Sequence, residues 1–230
     1  MSGFRGVVLC GGASRRMGRD KAFIEVAGRP MVVIAVEALL GAGAQSVRCV
    51  GGDEARLCRL GLHYQPDRFP GQGPLGALLS AFEPIQPAEQ VLPAEQVLPA
   101  EHVQSTELVM VLTCDLPLVD AAVVRAVVAA LQAQPDAAIA APLVENQVQF
   151  LSAAYRPRLV LVPIRDAFAA GVRAVRIGLV GVPLINVEGL DASRLVDADT
   201  PAALAQLRQP GPGPAPTPAC ATPASILPRE

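Results

Sequence analysis

The chain has 230 residues, 51% of them hydrophobic and 17% charged, which supplies one α/β domain with a full core and excludes a disordered main body. Its formal net charge of −2 excludes nucleic-acid binding through the field of the whole protein, so any phosphate recognition has to be local. Apolar runs are broken by Glu37, Arg125 or Pro163 before the roughly 18 residues of a membrane helix, the N-terminus has no signal-peptide pattern, and the five cysteines (10, 49, 58, 114 and 220) contain no C-x-x-C pair; a reduced, cytoplasmic protein without membrane contact, disulfide framework or zinc site is expected.

In chain order, residues 6–10 read as a strand, 31–40 as a helix and 46–50 as a second strand. Strands alternating with helices predict βαβ units and a mostly parallel sheet. A short strand at 62–65, a turn at 69–73 and a helix over 75–82 follow, with Pro74 suited to that helix's first position. The strongest strand signal lies at 107–113, then a helix at 121–131 and a strand at 137–141. Between 84 and 106 the sequence repeats PAEQVL twice and continues PAEHVQ. So few copies do not cap a solenoid and a proline every sixth residue blocks regular pairing, so this predicts an inserted surface loop. The domain is placed at 1–207, with 208–230 a disordered Pro-rich tail in which Cys220 has no structural partner.

The stretch VVLCGGASRRMGRDK, from Val7 to Lys21, joins the first strand to two adjacent glycines and four cations. A P-loop requires G-x-x-x-x-G-K-[ST], but Gly12 and Gly18 are one residue too far apart and Lys21 precedes Ala22. A dinucleotide fingerprint requires G-x-G-x-x-G opening into a helix, which Gly11-Gly12-Ala13 does not offer. What remains is a long loop of small residues whose backbone approaches an anion closely, or, more blandly, a glycine turn with a solvated basic flank. Four cations on one anion repel each other, so some face water; Lys21, just before the apolar Ala22-Phe23-Ile24, is the one placed to be held inward.

LCGGASRRMGRDKAFIEVAGRPM resembles the signature L-x-G-G-x-S-x-R-M-G-x-D-K-x-x-x-x-x-x-G-x-P of the molybdenum cofactor guanylyltransferase family. The resemblance continues at FPGQGPLGAL, LTCDLPLV and LVDADTPAAL, spanning about Val7 to Leu207. It implies a three-layer, Rossmann-like nucleotidyltransferase fold with a mostly parallel central sheet. It further implies transfer of GMP from GTP to molybdopterin carrying molybdenum, with release of pyrophosphate. Mg²⁺ is the implied cofactor, GTP and a molybdopterin-type acceptor the substrates, and molybdoenzymes or other cofactor-biosynthesis proteins the partners.

Nucleotidyl transfer brings two anions together, so charge has to be screened by a metal on carboxylates and by a lysine or arginine. Asp115 ends the apolar strand ELVMVLTC, and ligands of open α/β sheets bind beyond the carboxyl ends of strands. Its alternative is a helix N-cap, for which Asp120 is better spaced. By resemblance Asp115 matches the family's Mg²⁺-binding aspartate and Lys21 its triphosphate-contacting lysine, with Arg16 as helper; Leu9, Cys10, Gly11 and Gly12 form the nucleotide-binding stretch. Asp67 matches a nucleotide-binding aspartate, although a turn residue after Pro66 explains it nearly as well. Gly51 stands where the family has asparagine, so a contact there falls to the backbone. Asp199 matches a position beside the metal; Asp197 and Asp199 share a face if extended, and capping of the last helix is the alternative. Arg173 and Arg176 suit either a phosphorylated acceptor or a solvated helix face, while His63 and His102 have no partner in a triad or metal site. By resemblance the double glycine favours guanine, since the related cytidylyltransferases have A-A-G at this place. Two other readings remain: a transferase of this fold using CTP or another acceptor, and a nucleotide-binding subunit without catalysis.

Overall fold

The structure, a computed structural model, describes residues 3–11, 20–82 and 108–198. The repeat at 84–106, the boundary at 207 and the tail at 208–230 lie outside them. Strand β1 (Phe4–Leu9) is followed by a small hairpin of β2 (Glu25–Val26) and β3 (Arg29–Pro30), helix α1 (Met31–Gly41), β4 (Ala44–Val50), α2 (Glu54–Arg59), β5 (Tyr64–Gln65) and α3 (Gly73–Phe82). The second half comprises β6 (Leu108–Thr113), α4 (Ala121–Ala133), β7 (Ile139–Val144), β8 (Gln147–Val148), β9 (Ala154–Tyr155), α5 (Pro157–Ala169), α6 (Val175–Gly178) and β10 (Leu184–Val187).

The main sheet runs in the order β10-β7-β9-β6-β1-β4-β5, with β8 paired to β7. β1 pairs in parallel with both β4 and β6, β4 with β5, and β7 with β10; β9 is antiparallel to β6 and β7. Side chains alternate across β1: Phe4 and Val8 join α1, α2 and α4 on one face, while Val7 and Leu9 join α3, α5 and α6 on the other. The result is the expected three-layer fold. Burial on both faces explains why GVVL and LVMVL are unbroken apolar runs without alternation. Asp120 caps α4, its carboxylate accepting from the Ala122 and Val123 amides at 2.9 and 3.1 Å. Val123, Val124, Val127, Val128 and Leu131 then form its buried stripe. No helix among the described residues is long and apolar enough to cross a membrane.

Element boundaries differ from expectation by up to three residues, most at the seventh strand. The strand expected at 137–141 begins at Ile139 and runs to Val144, because the Ala137 amide closes a turn onto the Gln134 carbonyl at 3.1 Å. For the site, strand order matters most. From β1 the chain moves outward through β4 and β5, then crosses back to β6 on the opposite side of β1. Strand order thus reverses between β1 and β6, the place where open parallel sheets part at their carboxyl ends.

Candidate functional site

Backbone ladders run one residue past both central strands: the Cys10 amide donates to the Val50 carbonyl at 2.9 Å and the Cys114 amide to the Leu9 carbonyl at 3.1 Å. Gly11 and Asp115 are therefore the first residues to leave the sheet, side by side. A cavity of about 170 Å³ opens between them. Leu9, Cys10 and Gly11 line it from β1, and Thr113, Cys114 and Asp115 from β6. Pro74 and Ala77 of α3, with Leu151, close another side, and Lys21 completes the lining.

Lys21 opens a 3-10 turn, Lys21–Phe23, capped by Asp20, whose carboxylate accepts from the Ala22 amide at 3.1 Å. Ala22 is fully buried, and the Ile24 amide donates to the Lys21 carbonyl at 3.1 Å. Local hydrogen bonding and burial of the next residue thus fix the Lys21 backbone. Its Nζ lies 3.8 Å from Asp115 Oδ2, with the two side chains 18% and 22% exposed. The separation is long for an ion pair, and the two side chains place a cation and an anion on the same cavity. The Asp115 carbonyl in turn accepts from the Ala198 amide at 2.9 Å.

A second group adjoins Gly11. Gly51, past the end of β4, has φ +72°, and a Cβ built on it would lie 3.1 Å from Gly11 Cα and 3.4 Å from Asp67 Cβ. Backbone therefore meets backbone where the family resemblance led to asparagine. Asp67 Oδ1 accepts from the Phe69 amide at 3.0 Å and from Ser80 Oγ at 2.8 Å. Its Oδ2 faces Gly11, 3.6 Å from where a Cβ would stand. Asp67 is thus the turn residue that one reading gave, and it also neighbours the Gly11 backbone.

Hydrogen bonding with Cys114 and Cys49, together with burial, holds the Cys10 thiol well above its ordinary range. Cys10 stays neutral and adds no repulsion toward an anion. Among the described residues no group of three or more His, Cys, Asp or Glu side chains is arranged to hold a metal. Mg²⁺ is commonly held by one or two carboxylates together with substrate phosphates and water. Among the described residues Asp115 is the carboxylate that lines the cavity, and beside a lysine it fits that mode.

Of the residues singled out from sequence, the structure gathers Leu9, Cys10, Gly11, Lys21 and Asp115 on the cavity, with Gly51 and Asp67 beside Gly11. Gly12, Arg16 and Asp199 lie outside the described residues, as do Arg15, Arg19 and His102. His63 is exposed and joins no site. Arg173 is engaged: it donates to the Phe168 and Val172 carbonyls, both at 2.9 Å, and its guanidinium stands 4.2 Å from the Phe168 ring centroid. Arg173 is nonetheless exposed, in keeping with the solvated face, and it packs on Phe168, whose ring stands 4.8 Å from that of Phe69. Ser80 and Thr113 belong to the site region and were not legible; each is a small hydroxyl in an apolar run.

Residues 6–177 match the family model described as the MobA-like NTP transferase domain. The chain is 43% identical over 76 residues to a probable molybdenum cofactor guanylyltransferase of Pelotomaculum thermopropionicum, a stretch covering 33% of this chain and 37% of that protein. A probable molybdenum cofactor guanylyltransferase of Bacillus subtilis is 31% identical over 158 residues, covering 66% of this chain and 67% of that one. Among solved structures, molybdopterin-guanine dinucleotide biosynthesis protein A of Archaeoglobus fulgidus shares the fold with a TM-score of 0.66 at 18% identity, over 89% of this chain and 97% of that chain.

Proposed function

Because the chain belongs to the MobA-like NTP transferase domain family, we propose that it transfers GMP from GTP to molybdenum-bearing molybdopterin, yielding the guanine dinucleotide cofactor and pyrophosphate. The observation that carries this reading is Lys21 Nζ and Asp115 Oδ2 facing each other at 3.8 Å across a cavity at the strand-order reversal. The names of the similar proteins supply the substrates.

An oxygen of the acceptor's phosphate attacks the α-phosphorus of GTP; that P–O bond forms as the bond to the bridging oxygen of the β-phosphate breaks, and pyrophosphate leaves with the electron pair. Lys21 donates to the triphosphate and offsets the charge that builds on the leaving group. The bare backbone at Gly11 and Gly12 lets the phosphates come close, and Arg16 of the same loop assists Lys21. Asp115 would hold Mg²⁺ together with the phosphates, and the ion would supply charge neutralisation between the two anions. Asp199 is the second carboxylate; the hydrogen bond from the Ala198 amide to the Asp115 carbonyl supports this, since it draws the preceding residue to the metal-binding one. Asp67 and Gly51 receive the nucleoside. The reaction belongs in the cytoplasm, where contacts with molybdoenzymes or other cofactor-biosynthesis proteins pass the product on.

The test supplies Mg²⁺, one labelled nucleoside triphosphate at a time, and molybdenum-loaded molybdopterin, and follows pyrophosphate release. Turnover with GTP is expected. Turnover with CTP and none with GTP overturns the guanine assignment, and none with any triphosphate leaves a nucleotide-binding subunit without catalysis. Asp115→Ala is expected to lower turnover by roughly a hundredfold to a thousandfold with an unchanged melting temperature. Unaltered activity in that variant removes Asp115 from the site.

A further inference from the structure

Asp67 is held by a residue that has no part in the cavity lining. Ser80 lies in α3 and is fully buried. Its Oγ accepts from the Arg68 amide at 3.0 Å, and its single proton has two acceptors within reach, Asp67 Oδ1 at 2.8 Å and the Gly76 carbonyl at 3.1 Å. A carboxylate is the stronger acceptor and the nearer one, so the proton is directed to Asp67. The Phe69 amide occupies the same Oδ1 at 3.0 Å.

The anchor is itself tied down. Gln65, 1% exposed, donates through Nε2 to the Ser80 carbonyl, and its own carbonyl accepts from the Gly51 amide at 2.9 Å. Gly51 and Asp67, which converge on Gly11, are thus both referenced to Gln65 and Ser80, and through Ser80 to a helix. Without the hydroxyl, Asp67 keeps one amide contact to Oδ1 and gains freedom to swing.

We propose that Ser80 is a positioning residue for the nucleoside: by fixing Oδ1 of Asp67 it presents Oδ2, over the Gly11 backbone, to an N–H or O–H donor of the bound nucleoside. This rests on the nucleotide-binding reading above. Ser80 touches no substrate; it acts through Asp67 alone.

The test is a double-mutant cycle read by calorimetric GTP binding in the presence of Mg²⁺. Ser80→Ala and Asp67→Asn are each expected to weaken binding by roughly tenfold, and the double variant to match Asp67→Asn within about twofold. At saturating nucleotide, kcat of Ser80→Ala stays at the wild-type value while KM rises. A Ser80→Ala penalty that shrinks with dGTP supports a ribose hydroxyl as the donor, and one that shrinks with ITP supports the exocyclic amine. Should Ser80→Ala fail to fold, Ser80→Cys enters the same cycle. Wild-type affinity in the Ser80 variant, or two losses that multiply in the double variant, overturns the inference and leaves the function reading standing. A wild-type protein that binds no nucleoside triphosphate overturns both.

Discussion

At Gly51 two separate penalties meet. Its φ of +72° is the left-handed conformation, which costs a side-chain-bearing residue about 1–2 kcal/mol, and a Cβ would stand 3.2 Å from the Gly11 amide nitrogen. Backbone yields less readily than a side chain end. Gly51→Ala is therefore expected to lower unfolding free energy by about 1–2 kcal/mol in urea titration and to weaken nucleotide binding, because the displaced group is the Gly11 backbone. Gly51→Asn tolerates the φ better and meets the same contact. The family resemblance pointed to Asp115 and Lys21, and Asp115 was legible at the end of a strongly patterned strand and Lys21 just before the apolar Ala22-Phe23-Ile24. Ser80 was not: in LLSAF it is one hydroxyl on an apolar helix, and only the packing of α3 beside β5 brings Asp67 onto it.

Short elements have no period to read, and the least legible part of the fold follows from that. β9 has two residues, and its place between β6 and β7 depends on the pairs Met110 with Ala154 and Ile139 with Tyr155. Pro163 reads in sequence as a break in an apolar run, yet α5 continues through it to Ala169, the helix losing one donor there without ending. Tyr155 shows what β9 contributes. Its ring is fully buried 5.0 Å from that of Phe82, its hydroxyl donates to the Phe150 carbonyl, and burial pushes its phenol upward in pKa. Tyr155→Phe takes that donor from a part-buried carbonyl and is expected to cost about 1 kcal/mol by urea denaturation. A loss below about 0.3 kcal/mol would show that the carbonyl finds another partner.

Among the described residues the cysteines divide by location. Cys10, Cys49 and Cys114 are buried within the core on one face of the sheet, whereas Cys58 is exposed on α2. Brief alkylation of the native protein, mapped by mass spectrometry, is expected to label Cys58 well ahead of those three; rapid labelling of Cys10 would mean that the core opens at the site. The overall architecture was legible because both central strands carry continuous apolar runs, which only a sheet covered on both faces buries. The strand-order reversal was not, since no local pattern says on which side of β1 the later strand will pair. The hydrogen bond from Ala198 to Asp115 adds an order in time. Its acceptor is made with β6, but its donor follows β10, so a chain emerging from the ribosome carries its glycine loop, lysine and aspartate long before the amide that bonds the Asp115 carbonyl arrives. The site is thus among the last features to be finished during synthesis, and a chain cut short before Ala198 would leave Asp115 without that fastening.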